Sequence, residues 1–582
     1  MGRFPNTLFL LALSWVAGLS DAQQNLGTIN ITFPERPSNV ALTNPVNDNF
    51  LGISWELSSL DTLWGFTADK LPDAMQNYLH NIRARISNPL RMRIGGNGMD
   101  ISTYDPDKTD VMLTLTDPDA YFNDIPCTYG PVFFDVLNAM SDKVGDMSYI
   151  LGLPMRQPEF YDNAVLLAQA AQEKLGDKLD SLLLGNEPDL YQKHGHKDQY
   201  GISDYVPDVG TVLQMLEDAG AYDPQHSNIG GPTTCCNWNL GDMLDAGFGQ
   251  YAYKYYTYQH YPTHICQGPN AENTNMTYFV THSNVKPYVV WEDDNFRGIN
   301  QAKKAGVPTL MTEYNSVSCG GSNISDTFAM PLWATDVALA AAGSNISGIF
   351  LHTREFDVTY NLFDPPSPND PTKSGWNTGP IYYTTLVIAE TLSATGSVVV
   401  DLNVDSPHAV AYGVYDNGGE SRGKLVFINY ASQETLPPSF AEQDTSYTFY
   451  INPNVADTIG IRYLVADNLY SGSKSWGTTD QTITWANQTV GPAGDLNGKQ
   501  HTEFVHCTEG CNVTVPGPGL ALVYLLSDTS DKFFHGNSTV ALPFDAGDDS
   551  GSLGSFGVRG NDVWVWATSA VLSMVLGAGW LW

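Results

Sequence analysis

The chain has 582 residues, a length that calls for two domains, one of them large. Its content of 42% hydrophobic and 16% charged residues excludes a disordered chain and fits a globular one. Sixty-three acidic against 28 basic residues give a formal charge of −35, which excludes nucleic acid as a partner, disfavours heparin-like polyanions and anionic lipid surfaces, and suits an acidic extracellular medium.

Residues 1–22 carry Arg3, an apolar run over 8–19 and the small-residue ending Ser20-Asp21-Ala22, the layout of a secretory signal peptide cut before Gln23. Residues 23–46 follow. Their "GTINITFP" (27–34) reads as a strand, expected to join a later β domain and pin the N-terminus there.

Over residues 47–396 short apolar runs alternate with longer helical patterns. The runs are "FLGISWELS" (50–58), "PLRMRIGG" (89–96), "MSYILGLPM" (147–155), "LDSLLLGNE" (179–187), "NIGGPT" (228–233), "YYTYQHYP" (255–262), "VPTLMTEYN" (307–315) and "SGIFLHT" (347–353). Between them, apolar residues recur at three- and four-residue spacing, as over 162–175, 204–219 and 327–342. Eight strand-then-helix units predict an α/β fold, a (β/α)8 barrel of parallel strands. From 397 to 530 the rhythm changes to short β-like runs separated by Gly, Asn, Asp and Ser, with no long helix among them. This predicts an antiparallel β-sandwich domain.

Residues 531–562 read as a linker that contains the small triplet Ser550-Gly551-Ser552. Residues 563–582 form a charge-free apolar tail, long enough to span a bilayer. A small-residue site, a spacer and an apolar tail are the layout of a GPI-anchor signal. The alternative, a transmembrane helix, normally carries basic residues on its cytoplasmic flank. The expected location is therefore the outer leaflet of the cell surface, through a lipid anchor. Seven sequons, at Asn30, Asn275, Asn323, Asn345, Asn487, Asn512 and Asn537, agree with secretion.

In an oxidising compartment the seven cysteines are disulfide candidates, and an odd count leaves at least one unpaired. Cys507 and Cys511 are close enough to pair locally. The sequence leaves the partners of Cys127, Cys235, Cys236, Cys266 and Cys319 open. No zinc spacing is present, and His194 and His196 have no acid or cysteine at ligand spacing, so no metal is expected and the two histidines read as a surface loop. "RIGGNG" lacks a dinucleotide or Walker pattern, so no cofactor is expected either.

The chemistry points to the strand ends. Barrel enzymes act at the C-terminal ends of their strands. Glu187 ends the fourth run, in "LLLGNEPDLY", and Glu313 ends the seventh, in "LMTEYNS". Pro188 stops the strand where a ladder donor is no longer needed. Two carboxylates facing each other across the mouth are what glycoside hydrolysis requires: one protonates the leaving oxygen, the other attacks the anomeric carbon.

"FLGISWELS", "RIGGNG", "LLLGNEPDLY", "YQHY" and "LMTEYNS", followed by a β domain, resemble glycoside hydrolase family 79, a clan A family of retaining enzymes that holds β-glucuronidases and heparanases. The resemblance covers roughly residues 28–530. It implies that Glu187 is the acid/base, Glu313 the nucleophile, and Asn186 the contact to the sugar 2-hydroxyl. The implied substrate is a glucuronic-acid-containing oligo- or polysaccharide. Glu56 and Asn97 are candidates for sugar hydroxyls, Tyr261 for a hydrogen bond to the nucleophile, and Tyr382, in the long loop after the eighth strand, for the uronic carboxylate. An endo-acting, heparanase-like enzyme needs Lys and Arg beyond the catalytic subsite, of which this chain is short, and an idle carbohydrate-binding barrel does not need both glutamates.

Overall fold

The computed structural model describes residues 26–38, 43–120, 124–290, 297–354, 358–367, 370–436, 444–472 and 482–526. The expected signal peptide, linker, apolar tail and the sequon at Asn537 lie outside them. Among the described residues no helix is long and apolar enough to cross a membrane.

Eight strands form a closed parallel barrel in sequential order: Leu51–Glu56, Leu90–Gly95, Met147–Leu153, Leu179–Leu184, Ile229–Thr234, Tyr255–His260, Thr309–Tyr314 and Ile346–Thr353. The eighth pairs with the first, Ile349 opposite Leu51. These are the eight apolar runs of the sequence. They are largely apolar because a parallel barrel buries both faces of each strand, one against the interior and one against the helices. Ile150, Leu183, Leu310 and Phe350 fill one layer of the interior. The helical patterns fold as Tyr161–Leu175, Ile202–Asp218 and Ala329–Ala342.

The C-terminal domain is two sheets. The larger contains Val398–Asp401, Ala409–Asp416, Ser421–Asn429, Gly519–Leu526, Thr458–Val465 and Thr484–Trp485 in that spatial order, with Glu503–His506 also on Thr458–Val465. The smaller pairs Thr28–Ile31 in parallel with Tyr447–Ile451, which pairs antiparallel with Cys511–Val515. The large sheet is buried on both faces. Ala409, Ala411 and Tyr415 point into the sandwich core, while their neighbours Val410, Tyr412 and Val414 join the barrel's core. That is the period-two alternation of a strand applied to two dry faces. Helix Ala329–Ala342 lies against that sheet, which is why nearly all its residues are buried and it has no polar stripe.

Two buried polar clusters tie the domains together. Glu390 accepts from Arg85 (2.7 Å), Arg462 (2.8 Å), Trp485 Nε1 (3.1 Å) and Tyr524 Oη (2.9 Å). Asp336 accepts from Tyr412 (2.6 Å) and Tyr430 (3.0 Å) and pairs with His282, which also reaches Asp401.

Cys507 bonds Cys511, as their spacing suggested. Cys266 bonds Cys319, adjacent Cys235 and Cys236 bond each other, and buried Cys127 is the free thiol. Sequence could not pair these because Cys266 and Cys319 follow different barrel strands. Asn30, Asn275, Asn323, Asn487 and Asn512 are exposed. Asn345 differs: it is half-buried, and its Oδ1 accepts from Asn44 N–H and Lys303 Nζ, each at 3.0 Å.

Candidate active site

The chain leaves the fourth barrel strand through two left-handed residues, Gly185 (φ 77°) and Glu187 (φ 49°). A Cβ at Gly185 would lie 2.5 Å from Tyr191 Oη, so glycine is required there. Glu187 has a side chain and still adopts a conformation that costs on the order of 1–3 kcal/mol. Its N–H donates to the carbonyl of Thr233 (3.1 Å) on the fifth strand, and Pro188–Leu190 turn away beyond it. The proline that stops the strand thus begins the turn that presents Glu187.

Glu313 stands on the seventh strand, 7% exposed, opposite Gln259 of the sixth. Its two oxygens are held by different partners. Tyr261 Oη donates to Oε1 at 2.8 Å, and Arg93 Nη1 to Oε2 at 2.8 Å. Arg93 comes from the interior of the second strand and is fully buried; its Nη2 donates to Asn186 Oδ1 at 2.6 Å. Gln259 Nε2 donates to the same oxygen (2.8 Å), and Asn186 Nδ2 donates to Asn97 Oδ1 (2.8 Å). The Asn186 amide is therefore fixed end for end. His352, on the eighth strand, lies 3.7 Å from Glu313 Oε1 and shares a hydrogen bond with Ser54 (3.0 Å).

The surroundings split the two carboxyls. Burial, the negative charge of Glu313 and that of Asp189 push Glu187 well above the usual carboxylate range, against the pull of Arg93. Burial would raise Glu313 too, but the positive charges of His352, when protonated, and of Arg93, with the hydrogen bonds from Tyr261 and Arg93, more than offset it and hold Glu313 below its ordinary value. His352 is itself pushed down to about 4 by burial, so near neutrality the charge beside Glu313 is that of Arg93. The surroundings thus push the two carboxyls apart, Glu187 towards a protonated acid and Glu313 towards a carboxylate, the pair of roles that glycoside hydrolysis uses.

The structure brings together Glu187, Glu313, Asn186, Asn97 and Tyr261. Glu56 is placed beside them, one oxygen held by the N–H of Gly98 (2.9 Å). A Cβ at Gly96 would lie 2.1 Å from the Glu56 carboxylate, which accounts for the glycine there. Tyr382 is a correction. It is fully buried between the outer helices, its Oη donating to the Tyr78 carbonyl (2.7 Å), with Phe363 against its ring. Its hydroxyl is taken up by a carbonyl of helix Asp73–Arg83, so it does not face a sugar at the strand ends. Trp376 packs near Tyr78 in the same layer.

Sequence reasoning missed Arg93, Gln259 and His352. A signal existed for the first. A charged residue at an alternate position of an otherwise apolar parallel strand must be paired inside the barrel, because an unpaired buried charge is too costly.

A closed (β/α)8 barrel with two carboxyls of opposed character, joined to a two-sheet β domain, is the architecture of a glycoside hydrolase. Residues 411–522 match the model of the glycosyl hydrolase family 79 C-terminal beta domain. No curated protein sequence matches the chain. Among solved structures, a 4-O-α-L-rhamnosyl-β-D-glucuronidase from Fusarium oxysporum 12S superposes with a TM-score of 0.69 at 19% identity, covering 86% of this chain and 100% of that one. An α-L-arabinofuranosidase from Thermotoga maritima does so with a TM-score of 0.55 at 13% identity, covering 86% and 99%. At these identities the likeness is one of fold.

Proposed function

We propose that the protein is a retaining, exo-acting β-glucuronidase that removes glucuronic acid, or its 4-O-methyl ether, from extracellular glycans. The observation that carries this reading is that the surroundings raise the pKa of Glu187 and lower that of Glu313 at the ends of the fourth and seventh strands. Glu313 attacks the anomeric carbon while Glu187 gives its proton to the leaving oxygen, and a covalent glycosyl-enzyme forms. Glu187, now a carboxylate, takes a proton from water, which displaces Glu313 and restores the starting configuration. Tyr261 and Arg93 hold the nucleophile in place, and Asn186 is poised to contact the 2-hydroxyl. The substrate class rests on the family match and on the glucuronidase named among the structural neighbours.

The test is turnover of 4-nitrophenyl β-D-glucuronide, followed by NMR. The expected first product is the β-anomer, and Glu313→Ala is expected to regain turnover with azide while giving the inverted product. An α-anomer from the wild type would remove the nucleophile role. Internal cleavage of heparan sulfate without release of nitrophenol would favour the endo-acting reading, which the charge of −35 opposes. Turnover of neither substrate would favour an idle barrel.

The reading extends to location: secretion and a lipid anchor near Ser550, supported by the small-residue site, spacer and apolar tail. Phosphatidylinositol-specific phospholipase C is expected to free active enzyme from intact cells. Retention in the membrane, with peptides from 563–582 in the digest, would mean a spanning helix instead.

A further inference from the structure

His194 and His196 stand alone in the sequence, but the fold supplies an acid. Asp124, from the loop that follows the second barrel strand, meets them where they follow the fourth, and one ligand atom from each of the three lies within 4.8 Å of the other two. Gly195, at φ 75°, makes the turn that puts both imidazoles on this cluster, their rings 6.0 Å apart and perpendicular. The loop is pinned by His194 N–H to the Leu190 carbonyl (2.9 Å) and His196 N–H to the Tyr191 carbonyl (3.0 Å). His196 Nε2 is shielded from solvent and has no hydrogen-bond partner. A buried polar atom left so in a native fold calls for a water or an ion.

We propose that Asp124, His194 and His196 bind a zinc ion that staples the loops of the second and fourth barrel strands beside the site. Two imidazoles and a carboxylate are a three-ligand zinc set with the fourth position left to water. Zinc bonds of about 2.0–2.1 Å in tetrahedral geometry place ligand atoms about 3.3 Å apart, so side-chain rotation of about 1.5 Å closes the cluster. Arg156 Nη2 holds Asp124 Oδ1 at 3.0 Å, which leaves the second oxygen for the metal and orients the ligand, the usual part of an outer-sphere partner. The guanidinium also opposes a second cation. Its charge is shared with Asp100, 3.9 Å from Nε, and the expected affinity is micromolar, not the far tighter binding of a four-ligand structural site.

Metal-stripped full-length protein, titrated with zinc chloride at pH 7 by calorimetry and followed by thermal melting, decides the matter. One zinc per chain is expected, with a Kd of about 1–10 μM and, at one hundred times that Kd, a Tm higher by several degrees. His196→Ala, with an unchanged circular-dichroism spectrum, is expected to weaken binding at least tenfold, and Asp124→Asn less so. If stripped wild type binds no zinc, if His194→Ala/His196→Ala binds it as tightly as wild type does, or if calcium binds as well as zinc, the assignment is overturned. Glycosidase activity is not the readout, so failure here leaves the proposed function standing.

Discussion

Arg93 and Glu313 meet at 2.8 Å inside the barrel, joining the second strand to the seventh, and the same guanidinium holds Asn186 on the fourth. One buried cation therefore sets both the charge of the proposed nucleophile and the orientation of the residue beside the acid. Removing it leaves Glu313 buried without its counter-charge, which raises the carboxyl's pKa. Arg93→Met is expected to move the acidic limb of kcat/KM to higher pH and to lower its plateau by about tenfold to a hundredfold, the loss of a charged hydrogen bond of about 1.5–3 kcal/mol. A pH profile with an unmoved acidic limb would mean that Arg93 acts only in packing.

In the proposed mechanism the basic limb belongs to Glu187. Burial and the Glu313 charge raise it, so the acid is present up to its raised pKa and is lost as pH climbs through it. Glu187→Gln is expected to abolish turnover of substrates with poor leaving groups while largely sparing formation of the glycosyl-enzyme from good ones, which need no protonation. Equal losses on both, measured as kcat/KM across a series of aryl glucuronides, would place the acid elsewhere.

Stability should depend on His282. Burial works against its charge, but the hydrogen bonds and negative charges of Asp336 and Asp401 prevail and push it up to about 10. A group raised above its unfolded value of about 6.5 stabilises fully below that pH and loses the contribution as pH rises towards 10. Its side chain is 26% exposed, so the discounted contribution is about 1–3 kcal/mol. Urea midpoints should fall between pH 6 and pH 9.5, and His282→Gln should flatten that fall. An unchanged slope in the variant would assign the fall to other groups.

Glu390 makes the complementary case at the domain junction. It is buried with Arg85 and Arg462, so Glu390→Ala strands two guanidinium groups. The expected loss is about 3–5 kcal/mol. It should appear as a lower denaturation midpoint, with Glu390→Gln losing less. A loss under 1 kcal/mol would show that the junction relaxes to admit water.

Much was legible in the sequence because the period of the side chains reports what surrounds each element. Eight largely apolar runs became eight barrel strands, since a strand buried on both faces is apolar over most of its length, and the β-like runs after residue 397 became two sheets. Glu187, Glu313, Asn186 and Tyr261 were legible because each stands at a strand end beside a turn signal, and strand ends are where this fold gathers side chains. What only the tertiary structure decided was which distant residues meet. Arg93 finds Glu313 across 220 positions, Asp124 finds His194 and His196 from another loop, and Cys266 finds Cys319. Tyr382 was placed wrongly for the same reason: a long loop's composition says that it is ordered by contacts but not which wall it folds against. Periodicity is a local property of the chain. Pairing of charges, thiols and ligands is set by barrel closure, which brings together the ends of strands that the sequence keeps far apart.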